Sequence, residues 1–203
     1  MTMRVRRAGD TALLVDVEDL SVAHRLHAAV RASGVPGVVE VVPGERTVLI
    51  VADPVRCDLD RLAARLPFLT PAERAEDEAA AIEIPVVYDG EDVAEVAELT
   101  GLSAEEVVRR HVSGSYVVAY LGFSPGFGYL TGLDPVLHVP RRSNPRTSVP
   151  AGSVAIAGPY AAVYPSASPG GWRLLGRTEA ALWDVHRDPP ALLRPGARVR
   201  FVR

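Results

Sequence analysis

The sequence predicts an α+β protein in two parts: a small N-terminal α/β domain of ferredoxin-like type over residues 1–80, and a β-barrel or sandwich over 81–203. Three observations carry that expectation. Strand-like and helix-like patterns alternate through the first 80 residues. The stretch 70–81 (TPAERAEDEAAA) is acidic and built of small residues, and it reads as a solvated linker closing the first part. Beyond Ser115 the chain breaks into short apolar runs separated by Gly and Pro, as many-stranded barrels and sandwiches do.

The elements follow in order. Gly9-Asp10 signals a turn, and residues 11–17 (TALLVDV) form an apolar run of strand length. Asp19 or Ser21 caps a helix whose Val22, Leu26, Ala29 and Val30 share one face, and Gly34 ends it. Residues 38–42 and 47–52 are strand-like and joined by the turn Pro43-Gly44-Glu45-Arg46. Leu59, Leu62, Ala63 and Leu66 mark a second helix, stopped by Pro67. This β-α-β-β-α order places helices on one face of a mostly antiparallel sheet. In the second part, residues 92–99 read as a helix, and the capping box Ser103-Ala-Glu-Glu106 opens another that runs to about Val112. The strand candidates are YVVAYLGF, VLHVP, GSVAIAG, AAVYP, GWRLLGRT, ALWDV and ARVRFV.

Composition excludes several chemistries. All 22 basic residues of the 203 are Arg, so no Schiff-base or pyridoxal-phosphate lysine exists and no P-loop can form. Any anion must be held by Arg forks, backbone N–H groups or a partner chain. The single Cys57 makes no internal disulfide and no CxxC zinc site, and it reads as a buried thiol. His24, His27, His138 and His186 show no ligand-like spacing, so no metal site is expected. A net charge of −3 gives no global basic field for nucleic acid. No apolar run reaches the ~18 residues of a membrane span, and the N-terminus turns acidic too early for a secretory signal. A cytoplasmic location is expected.

Charge and glycine are both clustered. Eleven carboxylates and no Arg lie between Glu76 and Glu106, whereas five Arg and no carboxylate lie between Asp134 and Glu179. Those five are Arg141, Arg142, Arg146, Arg173 and Arg177, and two readings stand open. They either neutralise the acidic stretch or line a groove for a carboxylate or phosphate ligand. The glycine-rich clusters are GFSPGFGYL, VPAGSVAIAG and YPSASPGGWRLLGRT. In them, Phe123, Phe127, Tyr129, Tyr164 and Trp172 are of a kind that walls a pocket, and the glycines permit close backbone approach.

These motifs together resemble the family that includes the B-type subunit of the bacterial ATP-dependent 5-oxoprolinase, also labelled allophanate hydrolase subunit 1, and the Kip-type kinase inhibitors. The resemblance begins at GDTALLVDV and includes His111 before SGSYVVAYLGFSPGFGYL. It runs on through Pro140-Arg141, Pro145-Arg146, VPAGSVAIAG, YPSASPGGW and LLGRT, and ends at LLRPGARVRF. It implies a C-terminal cyclophilin-like β-barrel behind the small first domain. It also implies a non-autonomous role in opening 5-oxoproline to glutamate with ATP. The companions it implies are a larger C-type subunit, similar to allophanate hydrolase subunit 2, and a separate A-type one. Two positions depart from the family pattern: Gly128 replaces a proline, and Pro-Tyr-Ala-Ala follows Gly158.

On that resemblance, Arg146 and Arg141 suit stabilisation of phosphoryl oxygens, helped by the backbone of Gly152 and Ser153. His111 and Arg146 are the catalytic candidates, although a helix-end position gives His111 a structural alternative. Candidate substrate or nucleotide contacts are Arg141, Gly126, Phe127, Tyr129, Gly152, Ser153, Tyr164, Gly170, Gly171, Trp172 and Arg177. ATP, with Mg, is expected to be shared with the partner. AGSVA is not a GxSxG elbow, which argues against a serine hydrolase. Two other classes compete: a regulatory protein that grips a sensor histidine kinase, and a cyclophilin-like isomerase by fold analogy alone.

Overall fold

The computed structural model describes residues 3–69 and 80–203. The chain divides into two compact units, Met1–Glu78 and Ala79–Arg203. Most of the regular structure is strand, with four α-helices among the described residues. None of these helices is long and apolar enough to cross a membrane. Of the predicted linker 70–81, residues 70–79 lie outside the described residues.

In the first unit the strands are β1 (Arg4–Arg7), β2 (Ala12–Asp16), β3 (Val38–Pro43) and β4 (Thr47–Ala52), and the helices are α1 (Leu20–Ala32) and α2 (Leu59–Arg65). The sheet is antiparallel in the order β1-β2-β4-β3. Asp19 caps α1 by accepting the Val22 N–H at 2.9 Å. Pro67 does not end the helical path at once. It sits in a 3-10 turn at Leu66–Phe68 that follows α2 directly. Leu13, Val15, Leu26, Val48, Ile50 and Leu62 form the core, and Cys57 is a free, buried thiol. Strand β1 (RVRR) is an addition to the predicted order. Its arginines give no apolar run, but a charged edge strand needs none, and Arg6 pairs with Asp16 on β2.

The second unit holds β5 (Ile82–Pro85), α3 (Val93–Thr100), α4 (Ala104–Val112), β6 (Tyr116–Leu121), β7 (Gly128–Thr131), β8 (Arg146–Val149), β9 (Ser153–Ala157), β10 (Tyr160–Val163), β11 (Ser168–Gly170), β12 (Arg173–Arg177) and β13 (Arg198–Val202). Seven strands form a curled sheet in the order β12-β9-β10-β7-β6-β13-β5, and β8 pairs with β11 separately. The curl brings the chain just after β5 to the opposite edge. There Val87 and Arg177 exchange both backbone hydrogen bonds at 2.9 Å. Glycine permits that seam: a Cβ on Gly176 would strike the Val87 carbonyl, and one on Gly90 the Leu174 carbonyl.

Two predicted strands are turns. VLHVP forms a 3-10 turn at Pro135–Leu137, and ALWDV makes only the isolated Trp183–Ala191 bridge. In each, an aspartate carboxylate takes a backbone N–H that a ladder would need: Asp134 from Val136 at 3.0 Å and Asp184 from His186 at 2.9 Å.

Strand β9 is buried along its whole length. Val154 and Ile156 pack into the main core with Ile84, Val118, Leu130 and Phe201, while Ala155 and Ala157 face an aromatic cluster on the other side. That two-sided burial is why the run reads as continuously apolar instead of alternating.

Candidate functional site: an aromatic wall with a guanidinium at its rim

The second face of the curled sheet carries the wall. Small residues Ala155, Ala157 and Ala162 line its floor, and Phe127, Tyr164 and Trp172 are buried on it. Phe127 meets Tyr164 and Trp172 edge-on, with ring centroids 5.3 and 5.7 Å apart. Half-buried Tyr129 reaches Trp172 at 5.6 Å and stacks on Tyr120 at 4.6 Å, while Tyr160 meets both tyrosines edge-on. Edge-to-face pairs of this kind fix ring orientation as well as burying area.

At the rim, Phe123 is 62% exposed and holds a left-handed backbone with φ 70. A bulky residue adopts that conformation only under constraint. The constraint is local: Ser124 N–H donates to Gly122 O at 2.9 Å, and Phe127 N–H to Ser124 O at 3.0 Å. The Phe123 ring lies edge-on to Phe127 and Tyr164. The Ser124 hydroxyl oxygen is buried without a hydrogen-bond partner among the described residues.

The arginines divide sharply. Arg142 binds Asp92 at 2.7 Å and Glu95 at 3.2 Å. Arg146 binds Asp92 at 2.8 Å and Glu91 at 3.1 Å. Arg173 is buried against Glu95 and donates to Pro140 O at 3.3 Å, and Arg177 binds Asp89 at 2.9 Å on the seam. Only Arg141 among the five has no carboxylate partner among the described residues. It is exposed, with its guanidinium 5.8 Å from the Trp172 ring centroid, within cation–π range.

Asp92 lies at the centre of this network, 2% exposed. Its position suits a helix cap, yet its side chain caps nothing in α3. It accepts from Arg142, Arg146 and the Leu174 N–H at 2.7 Å. Burial alone would raise the Asp92 carboxyl, but the hydrogen bonds from Arg146 and Leu174 and the charges of Arg146 and Arg142 hold it below the usual carboxylate range.

Several sequence candidates are thus placed elsewhere or already committed. Arg146 is engaged by Asp92 and Glu91, whose hydrogen bonds raise it above its ordinary value, so it is not a free phosphoryl cation. The Gly152 and Ser153 amides are not available as oxyanion donors: Gly152 N–H donates to Tyr164 O at 2.7 Å and Ser153 N–H to Pro150 O at 3.3 Å. The Ser153 hydroxyl donates to Pro150 O as well. Gly126, at positive φ, packs against Trp183. Gly128 is buried opposite Leu121 in β7. Gly170 underlies the Tyr164 hydroxyl, and Gly171 O accepts the Arg142 N–H at 2.7 Å.

His111 is not brought to the wall. It is fully buried in α4 among Tyr116 and Phe201, and its Nδ1 shares a 2.7 Å hydrogen bond with the Tyr88 hydroxyl. Burial pushes its pKa down to about 3, so it is a neutral core residue at ordinary pH. Its Nε2 has no partner among the described residues. No cluster of three or more His, Cys, Asp or Glu residues able to hold a metal occurs among the described residues.

Sequence reasoning did not single out Asp92, Tyr120 or Tyr160. Strand period was the available signal for Tyr160, since residues 160, 162 and 164 share a face. No local pattern distinguishes Asp92 from an ordinary helix-start aspartate. The accessible part of the cluster is its rim, where exposed Phe123 and Arg141 lie with half-buried Tyr129 and Tyr160, while Phe127, Tyr164 and Trp172 are packed inside it. That rim can meet a small molecule with one flat apolar face and one anionic group. Among the described residues it offers no nucleophile–base pair.

Comparison with known proteins gives a consistent relationship. The profile described as carboxyltransferase domain, subdomain C and D, matches residues 3–193. The chain is 46% identical over 202 residues to the B-type subunit of 5-oxoprolinase from Escherichia coli O157:H7, covering 96% of this chain and 93% of that protein. It is 27% identical to the urea amidolyase of Lachancea kluyveri, covering 97% of this chain but 13% of the larger one. The crystal structure of TTHA0988 superposes with a TM-score of 0.83 at 40% identity, covering 98% of this chain and 40% of that chain. This chain therefore spans less than half of that structural relative. It belongs to the carboxyltransferase domain family, subdomains C and D.

Proposed function

We propose that the chain is the B-type, non-autonomous subunit of an ATP-dependent amide hydrolase that opens the lactam of 5-oxoproline to glutamate. The observation that carries this reading is the near full-length similarity to the B-type subunit of 5-oxoprolinase. The finer names for the two units, ferredoxin-like and cyclophilin-like, belong to the same reading, as does a cytoplasmic location. The wall supports it chemically. 5-Oxoproline is a small ring bearing one carboxylate, which suits aromatic edges beside the Arg141 fork. In this reading exposed Phe123 and half-buried Tyr129 meet the ring, the buried Phe127, Tyr164 and Trp172 pack against them and fix their orientation, and Arg141 grips the carboxylate.

ATP does not fit the residues present as a triphosphate ligand. Arg146 is paired, the Gly152 and Ser153 amides are bonded internally, and the chain has no Lys. The nucleotide, with its Mg, is accordingly assigned to the C-type and A-type companions, and no step on this chain runs through it. The same partition agrees with a wall that sorts and orients without a nucleophile–base pair among the described residues.

The test is ATP-dependent formation of glutamate from 5-oxoproline by the chain alone, with its C-type companion, and with both companions. Turnover is expected only in the assembled set. A fully assembled set that leaves 5-oxoproline intact would overturn the reading, above all if the chain then inhibits a sensor histidine kinase.

A further inference from the structure

We propose that Asp92 is a positioning residue that sets the Arg141–Trp172 pair and leaves Arg141 as the wall cation that meets an incoming anion. This inference rests on the reading of Arg141 as the group that meets the substrate carboxylate.

The geometry is specific. Arg141 and Trp172 lie on two different segments, and each is flanked by residues tied to Asp92. Arg142, next to Arg141, donates its guanidinium to Asp92 at 2.7 Å and its backbone N–H to Gly171 O, next to Trp172, at 2.7 Å. Leu174, two residues beyond Trp172, donates its N–H to the other Asp92 oxygen at 2.7 Å. Arg146, at the start of β8, takes the remaining contact at 2.8 Å. One buried carboxylate thus holds both segments in register.

Its second effect is electrostatic. Several guanidinium groups compete near the wall, and an anion would bind whichever was free. Asp92 and its neighbours Glu91 and Glu95 occupy Arg142, Arg146 and Arg173, and Arg141 remains. Without Asp92, two guanidinium groups lose their buried counter-charge. Arg142 then keeps only the half-exposed Glu95, which Arg173 shares, and becomes a competing anion site beside Arg141.

Asp92→Asn keeps the shape but removes the charge, and Arg142→Gln removes one arm from a half-exposed position. Both are placed in a Trp183→Phe background, where Trp172 is the sole tryptophan. Trp172 accessibility is read by acrylamide quenching on the full-length chain, and ring opening is read in the assembled set. For Asp92→Asn, quenching is expected to increase and the KM for 5-oxoproline to rise about tenfold with kcat within about twofold. Arg142→Gln is expected to move both readouts the same way by a smaller amount. A folded Asp92→Asn chain with unchanged quenching and KM would overturn the proposal. So would a fall in kcat at unchanged KM. If Asp92→Asn does not fold, Arg142→Gln decides by the same criteria. If the parent set opens no lactam, the functional reading fails separately, and quenching alone decides whether Asp92 sets Trp172.

Discussion

The two units place their polar residues differently. The first buries apolar side chains and keeps its ion pairs at the surface, as in Arg6–Asp16 and Arg7–Asp60. All four buried polar residues among those described, Asp92, His111, Ser153 and Arg173, belong to the second unit. So does Phe123, the one non-glycine residue with positive φ among those described. Features that cost stability gather in the unit that carries the aromatic wall, which is where function is expected to break the ordinary rules of packing.

The contrast can be broken most directly at Asp92. Asp92→Ala leaves Arg142 and Arg146 without their buried counter-charge, and a loss of about 3 kcal/mol is expected in urea unfolding of the second unit. A loss below about 1 kcal/mol would place Asp92 among ordinary surface pairs.

His111 gives the next effect. Its folded pKa is depressed, so the unfolded chain binds the proton first as pH falls. Its contribution is complete above about pH 6.5 and is lost on acidification toward 3, at up to about 1.4 kcal/mol per pH unit. Urea melts between about pH 6.5 and 4.5 should show that slope, and His111→Phe should flatten it. A flat parent profile would contradict a neutral buried imidazole.

Phe123→Gly relieves the left-handed backbone and removes an exposed ring. Stability is expected to stay within about 1 kcal/mol of the parent while ring opening weakens several-fold. A larger loss would mean that the ring anchors its loop. Arg6→Gln, in an exposed pair of the first unit, is expected to leave the thermal midpoint unchanged. A clear drop there would erase the distinction between the units.

Local signals made much of the fold legible. Caps, turn residues and apolar periodicity located α1, β4 and α4 closely. They missed β1, whose arginines mask its strand character, β5, whose pairing with β13 spans most of the second unit, and the short β7, β8 and β11, which lie among glycines, prolines and polar residues. Trp172, Tyr129 and Phe127 were legible because aromatics amid glycines are unusual in loops. The pairing of the arginines was not. Which of five like residues stays free depends on contacts across some fifty residues of chain, as between Arg142 and Asp92. Burial of His111 was likewise invisible, since a helix-end histidine reads the same whether wet or dry.

Under the proposed function, substrate meets this chain at Arg141 on the aromatic wall. The most direct measurement compares steady-state ring opening by assembled sets containing the parent chain or Arg141→Gln, over a range of 5-oxoproline concentrations. The expected result is a KM raised about tenfold or more, with the maximal rate largely kept. An unchanged KM would contradict it.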